Sequence, residues 1–167
     1  AASAGIHIGL IDVGLSMPNA FGGAGFAMFE RETRVICRRG GNFRIDGFDR
    51  TEPEQHVSLK LLLKALSALR GSTGVDFQLL SVAPRHHGFG SSTTLHLSII
   101  ESFCIEAQVN LSIEQKQRLS GRGGTSGVGI NTFFLGGVVR DSGRPWSEVK
   151  AIGPSGTDSP LSLPSVS

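Results

Sequence analysis

The chain has 167 residues, a formal charge of +2, 39% apolar residues and 18% charged ones, enough for one domain with a real core and cramped for two. That balance fits a globular protein, is too weakly basic to argue for nucleic acid, and suits a small anionic substrate. The 23 glycines cluster without a Gly-X-Y period, which excludes collagen, and no apolar run approaches the roughly 20 residues of a membrane helix.

The start, "AASAGIHIG", has no basic segment leading into a long apolar one, so no signal peptide is visible. "GIHIGLID" alternates Ile6, Ile8 and Leu10 on one face and predicts a strand. "NAFGGAGFAMFE" predicts a glycine loop feeding a second strand, and "TRVICR" and "NFRID" predict short strands around the turn "RGGN". "TEPEQHVSLKLLLKALSALRG" predicts a helix with a Thr51–Glu54 capping box, Pro53 in its first turn, a Leu62, Leu66 and Leu69 stripe, and Gly71 at its stop. "VDFQLLSV" alternates Val75, Phe77 and Leu79 as a strand.

A second helix follows, with Leu95, Ile99, Ile100, Phe103, Cys104 and Ala107 at helical spacing. "SIEQKQRLSG" predicts a third, capped by Ser112 and Gln115 and ended by Gly121. A second glycine loop, "GRGGTSGVG", leads into "FFLGGVVRD", which reads as a strand. Residues 153–167 turn Pro-, Ser- and Gly-rich, as in a linker, a lid or a frayed end. The expectation is an α/β domain over residues 1–152, two-layered with a mixed sheet, and a tail over 153–167. Cys37 and Cys104 lie in apolar segments outside any C-x-x-C pair, so both read as reduced core residues of a cytoplasmic protein, with one disulfide as the alternative.

The run "PRHHGFGSSTT" joins the Val75 strand to the second helix. Gly88 and Gly90 can take positive φ and let a ligand approach the backbone. The first amides of the helix have no intrahelical partner and point along a dipole that favours an anion. Ser91, Ser92, Thr93 and Thr94 add hydroxyl donors. Two readings stand: a cradle for a diphosphate, or a glycine turn with a serine N-cap. No Gly-Lys-Ser/Thr is present, so this is no Walker A loop, and the third glycine of a dinucleotide fingerprint is missing. His86 and His87 are adjacent, and neighbouring strand residues point to opposite sides, so they do not read as a metal pair. One is expected to face the ligand. His96 reads as structural, and His7 facing the site is one option among several.

These motifs resemble a known family. "PRHHGFGSST" before an apolar helix is similar to the glycine-rich ATP loop of the GHMP small-molecule kinases. The match is closer to one branch, the beta-ribofuranosylaminobenzene 5'-phosphate synthase family. Its "R-L-H-F-G-L-L-D" strand resembles residues 5–12, its "G-G-I-G" segment resembles "GGAGFAM", and its "H-V-G-L-G-S-G-T" resembles "HHGFGSST". Its "G-R-G-x-x-S-G-I-G" resembles "GRGGTSGVG" at residues 121–129, the most specific stretch, with "LGGVVRD" following.

The resemblance implies a GHMP-type N-terminal domain with helices on one face of the sheet. A C-terminal ferredoxin-like domain is expected to be absent or truncated, since family chains run well beyond this length. It implies a C-ribosylation in which phosphoribosyl pyrophosphate reacts with an aromatic or heteroaromatic acid and loses pyrophosphate and carbon dioxide, with magnesium as cofactor. The superfamily's kinases usually carry an aspartate base where this chain has Gly129, Ile130 and Asn131. A small-molecule kinase is therefore the runner-up, and a non-catalytic ligand binder the third reading.

On this basis His87, Gly88, Phe89, Gly90, Ser91, Ser92 and Thr93, with Gly124, Thr125 and Gly127, are expected to bind substrate phosphates. Arg122 is expected to hold the 5'-phosphate or the aromatic carboxylate, or to be a surface arginine. Ser126 would supply another donor. Asp12 would bind metal or ribose hydroxyls, or simply end its strand. Glu101 is the weak magnesium candidate, with Glu106 beside it; the solvated face of a helix is the alternative. "SST" replaces the branch's "SGT", with Ser92 in place of a glycine. A homodimer or a complementing C-terminal chain would complete the cleft.

Overall fold

The computed structural model describes residues 1–11, 18–47, 53–70, 74–84, 88–124 and 126–146. The expected tail, Asp12, Thr51, Gly71, His86, His87 and Thr125 lie outside them. The elements run β1 (Ala2–Ile11), β2 (Asn19–Ala20), β3 (Gly22–Gly40), β4 (Arg44–Asp46), α1 (Pro53–Arg70), β5 (Gly74–Ser81), α2 (Ser91–Ala107), α3 (Ile113–Ser120), α4 (Val128–Leu135), β6 (Val138–Asp141) and β7 (Arg144–Pro145).

The sheet is mixed, in the order β1-β3-β5-β4, and β6 also pairs with β3. The 19-residue β3 is its spine. Its first part pairs antiparallel with β1, from Ile11↔Gly22 to Ala4↔Met28, and with β6, from Gly23↔Asp141 to Phe26↔Val138. Its second part pairs antiparallel with β5, from Arg34↔Ser81 to Gly40↔Gly74. β4 adds to β5 in parallel. β2 and β7 form a separate two-stranded ribbon.

The glycine-rich stretch expected to be a loop is the start of β3. Its glycines answer close approach rather than a turn. A Cβ on Gly25 would strike the carbonyl oxygen of Ile6 and a methyl of Val128, so only glycine lets α4 lie this near the sheet. The expected strand "FFLGGVVRD" also divides: Phe133, Phe134 and Leu135 finish α4, and only Val138–Asp141 is strand.

The core joins α1, α2, α4 and β5. Leu59, Leu62 and Leu66 face Val75, Phe77 and Leu79, with Leu95, Ile99, Ile100, Phe103 and Ile130 between them. β5 alternates as its sequence demands, while Leu69 of α1 turns outward. α2 is buried almost all round, including the polar His96 and Ser98, as a helix packed between the sheet and α1, α3 and α4 must be. The Ile6, Ile8, Leu10 face of β1 is not a core face: Ile8 is 68% exposed and Leu10 41%. Cys37 and Cys104 are not joined in a disulfide, and burial pushes the Cys104 thiol up. No helix among the described residues is long and apolar enough to cross a membrane.

Candidate functional site

Strand β1 ties the two glycine loops together. The His7 backbone N–H donates to the Gly88 carbonyl at 2.9 Å, which fixes the first loop against the sheet. Its ring Nε2 lies 3.2 Å from Ser126 Oγ in the second loop.

The first loop enters α2 through Gly90, which is the N-cap and sits in the left-handed region at φ 55°. A side chain there would be strained. The expected serine cap is absent: Ser91 is already helical, and no side chain among the described residues caps this end. The first intrahelical bond is Thr94 N–H to Gly90 O at 3.0 Å, so the Ser91, Ser92 and Thr93 amides precede it. No acidic residue lies in this first turn. Ser91 is buried and Ser92, Thr93 and Phe89 are half-buried. His96 steadies the turn: its Nδ1 is 2.7 Å from the Ser92 carbonyl and its Nε2 is 3.1 Å from Ser58 Oγ. A carbonyl only accepts, so Nδ1 carries the proton and Nε2 accepts from Ser58. His96 is structural, as expected.

The second loop delivers the start of α4 to the same place. A Cβ on Gly129 would sit 3.3 Å from Thr93 Cγ2, so the first turns of α2 and α4 touch. The α4 end differs from the α2 end because it holds an anion of its own. Asp141, 2% exposed, accepts from Gly127 N–H at 2.7 Å, Gly143 N–H at 3.0 Å and Ser126 Oγ–H at 3.2 Å. Val128 N–H in turn donates to Ser126 Oγ at 3.2 Å. The amide of Gly127, expected to face a phosphate, is engaged by Asp141. The Ser126 hydroxyl proton points to the same carboxylate, so His7 Nε2–H is the donor to Ser126. The result is a directed chain from His7 through Ser126 to Asp141. Burial holds the His7 imidazole below its usual value of 6.5, partly offset by the Asp141 charge.

Other expected residues fall around this core. Gly124 is buried in the second loop, and Arg122, half-buried, donates its backbone N–H to Ser120 Oγ at 3.2 Å. Arg144, 4% exposed, donates to the Gly123 carbonyl at 2.6 Å and shapes the same loop. Glu101 is not at the site. It lies ten residues along α2, about 15 Å from the first turn, in a 2.7 Å ion pair with Lys116. Glu106 pairs with Arg39 at 3.4 Å. Among the described residues no cluster of three His, Cys, Asp or Glu side chains is placed to hold a metal. Asp141 and Arg144 were not expected; a carboxylate ending a strand before "SGR" reads as an ordinary turn residue.

No family model matches the chain. It is 31% identical over 150 residues to beta-ribofuranosylphenol 5'-phosphate synthase of Archaeoglobus fulgidus, covering 90% of this chain and 46% of that one. The Methanocaldococcus jannaschii protein of the same name is 30% identical over 155 residues, covering 87% and 47%. The chain thus spans about half the length of the curated relatives it matches. In fold it is similar to L. major mevalonate kinase in complex with R-mevalonate, at TM-score 0.57 and 16% identity, covering 86% of this chain and 49% of that one. A homoserine kinase from Cytophaga hutchinsonii gives TM-score 0.56 and 17% identity, covering 84% and 47%. Shared sequence over nine-tenths of its length shows that the chain belongs to the family of the beta-ribofuranosylphenol 5'-phosphate synthases, and it has the GHMP-type fold seen in these kinases.

Proposed function

We propose that this chain is the phosphate-binding portion of a C-ribosyltransferase. The reaction joins ribose 5-phosphate from phosphoribosyl pyrophosphate to an aromatic or heteroaromatic acid. The C1–oxygen bond breaks and its electrons leave with pyrophosphate. The ring carbon bearing the carboxylate attacks C1, and that carbon then loses carbon dioxide, whose bonding electrons restore the ring. The observation that supports this most is the meeting of α2 and α4 at Thr93 and Gly129. An open helix end stands ready for an anion, and the position of the kinase base carries no carboxylate.

In this reading the Ser91, Ser92 and Thr93 amides and hydroxyls receive the leaving pyrophosphate, as preformed donors aimed at developing charge. His7 and Ser126 hold the far wall, with the His7 ring neutral and its Nδ1 able to accept. Arg122 is the cation within the second loop, suited to the 5'-phosphate or the acceptor carboxylate. The described residues do not fit a resident magnesium: Asp141 is committed to three donors and Glu101 to Lys116. Any magnesium would enter on the diphosphate as part of the substrate.

Incubation with phosphoribosyl pyrophosphate and a panel of para-substituted benzoates tests this. Pyrophosphate and carbon dioxide released in equal amounts support it. ADP formed from ATP and a small acceptor would support a kinase instead, and binding without turnover a non-catalytic protein. If phosphoribosyl pyrophosphate does not bind, the proposal fails.

A further inference from the structure

His7 touches both glycine loops. Its backbone N–H donates to the Gly88 carbonyl in the first at 2.9 Å, and its ring Nε2 lies 3.2 Å from Ser126 Oγ in the second. The ring edge carrying Nε2 and Cε1 is packed as well. An added Cβ on Gly23 would come within 3.2 Å of both atoms, so glycine there leaves room for the imidazole. The ring is thus held between the loop that leads into α2 and the loop that carries Arg122.

The other edge of the ring is unheld. Nδ1 has no hydrogen-bond partner among the described residues. Unlike the sealed Ser98 hydroxyl and Gln117 amide, it keeps accessible surface. With the proton on Nε2, Nδ1 carries a lone pair and accepts. Burial, the larger influence on this ring, favours its neutral form. A lone pair opposes a phosphate oxygen, which also only accepts, so Nδ1 does not belong to the anion cradle. It fits a neutral donor such as a hydroxyl.

We propose that His7 Nδ1 accepts a hydrogen bond from a ribose hydroxyl of the substrate, an assignment that rests on the ribosyltransferase reading and adds the group that recognises the sugar. The hydroxyls of phosphoribosyl pyrophosphate are those at ribose C2 and C3. Its ribose joins the diphosphate at C1, where the aromatic acceptor also attaches, to the 5'-phosphate. Whether Arg122 holds the 5'-phosphate or the acceptor carboxylate, the sugar then lies between the two loops, beside His7. A neutral ring suits that place. A cationic one would oppose the positive charge developing at C1, whereas an acceptor on the adjacent 2'-hydroxyl binds harder as that charge grows.

Titration calorimetry with phosphoribosyl pyrophosphate, its 2-deoxy and 3-deoxy analogues and pyrophosphate tests it, on the wild-type chain, His7→Gln and His7→Asn. A glutamine amide reaches the place of Nε2 and an asparagine amide that of Nδ1. In the wild type at least one deoxy analogue binds about five- to tenfold weaker than the parent, the share of one hydrogen bond. His7→Gln brings that analogue within about twofold of the parent, and His7→Asn keeps a gap of at least about threefold. Pyrophosphate, which lacks the sugar, changes by less than about twofold in either variant. The inference is overturned if neither analogue binds more weakly in the wild type, if the gap survives His7→Gln, or if the variants weaken pyrophosphate as much as the parent. Those results leave the ribosyltransferase reading standing, whereas failure of phosphoribosyl pyrophosphate to bind the wild type ends both. Should His7→Gln fail to fold, the nitrogen resonance of Nδ1 in the wild type decides: it moves upfield on adding phosphoribosyl pyrophosphate if the atom accepts a hydrogen bond, and an unmoved resonance overturns the inference.

Discussion

Replacing Asp141 by alanine tests the central structural claim about the site. The carboxylate is 2% exposed and accepts from Gly127 N–H, Gly143 N–H and Ser126 Oγ–H. Both glycines are buried, so in Asp141→Ala two backbone donors lose a charged acceptor that water does not readily replace. At about 1–3 kcal/mol for each such donor the cost is about 2–6 kcal/mol. Loss of the anion at the α4 end adds about 0.3–1 kcal/mol. Ser126 adds little, because its residue is only half-buried and its hydroxyl still accepts from His7 Nε2–H at 3.2 Å. Against a typical domain stability of about 5–15 kcal/mol, this is a large share. Asp141→Asn keeps one acceptor oxygen and is expected to lose about half as much. Urea unfolding followed by Trp146 fluorescence reads the difference directly, since Trp146 is the only tryptophan and sits five residues on, 5.7 Å from the Phe21 ring. A loss below about 1 kcal/mol for Asp141→Ala would refute the claim that this carboxylate organises the loop.

Gly129→Asp puts a carboxylate beside Thr93 at the mouth of α2. Calorimetry should show pyrophosphate affinity falling at least about tenfold by charge repulsion, while Gly129→Ala stays within about threefold. Burial lowers the His7 value below 6.5, so the unfolded chain binds that proton first as pH falls. The contribution of His7 is then full above 6.5 and lost as pH falls through the folded value; stability measured against pH should show that decline and His7→Gln should remove it. Ser112→Ala breaks the reciprocal cap of α3, in which Gln115 N–H donates to Ser112 Oγ at 3.3 Å and Ser112 N–H to Gln115 Oε1 at 2.8 Å. A cost of about 1 kcal/mol is expected, read as a melting point about 2–4 °C lower.

Where local chemistry decides the outcome, the sequence was readable. The α3 cap, the alternation of β5 and the apolar girth of α2 each follow from residues within a turn or two of one another. The misreadings share one cause, a distant neighbour. The glycines before Phe26 look like a flexible loop until Val128 is known to press on Gly25. Phe133 and Phe134 look like strand residues until α4 is seen to carry them against the core. Ile8 and Leu10 form a proper alternating face that nothing among the described residues covers. The branch and its loops were legible because the motifs are contiguous. The His7–Ser126–Asp141 chain was not, since its first two members stand 119 residues apart.

The length of β3 has a kinetic consequence. Its second part pairs with β5, beside the α1 and α2 core, whereas β6 returns to its first part across more than a hundred residues, as Gly23↔Asp141 shows. Closing so large a loop is slow and carries the greater entropy loss. The first part of β3 can form early with β1, its second part with β5 and the core, and β6 docks last and opens first. Amide exchange should find Val139 less protected than Cys37 and Phe77, so ligand at the glycine loops would act as a clasp between β1 and the segment that leads into β6.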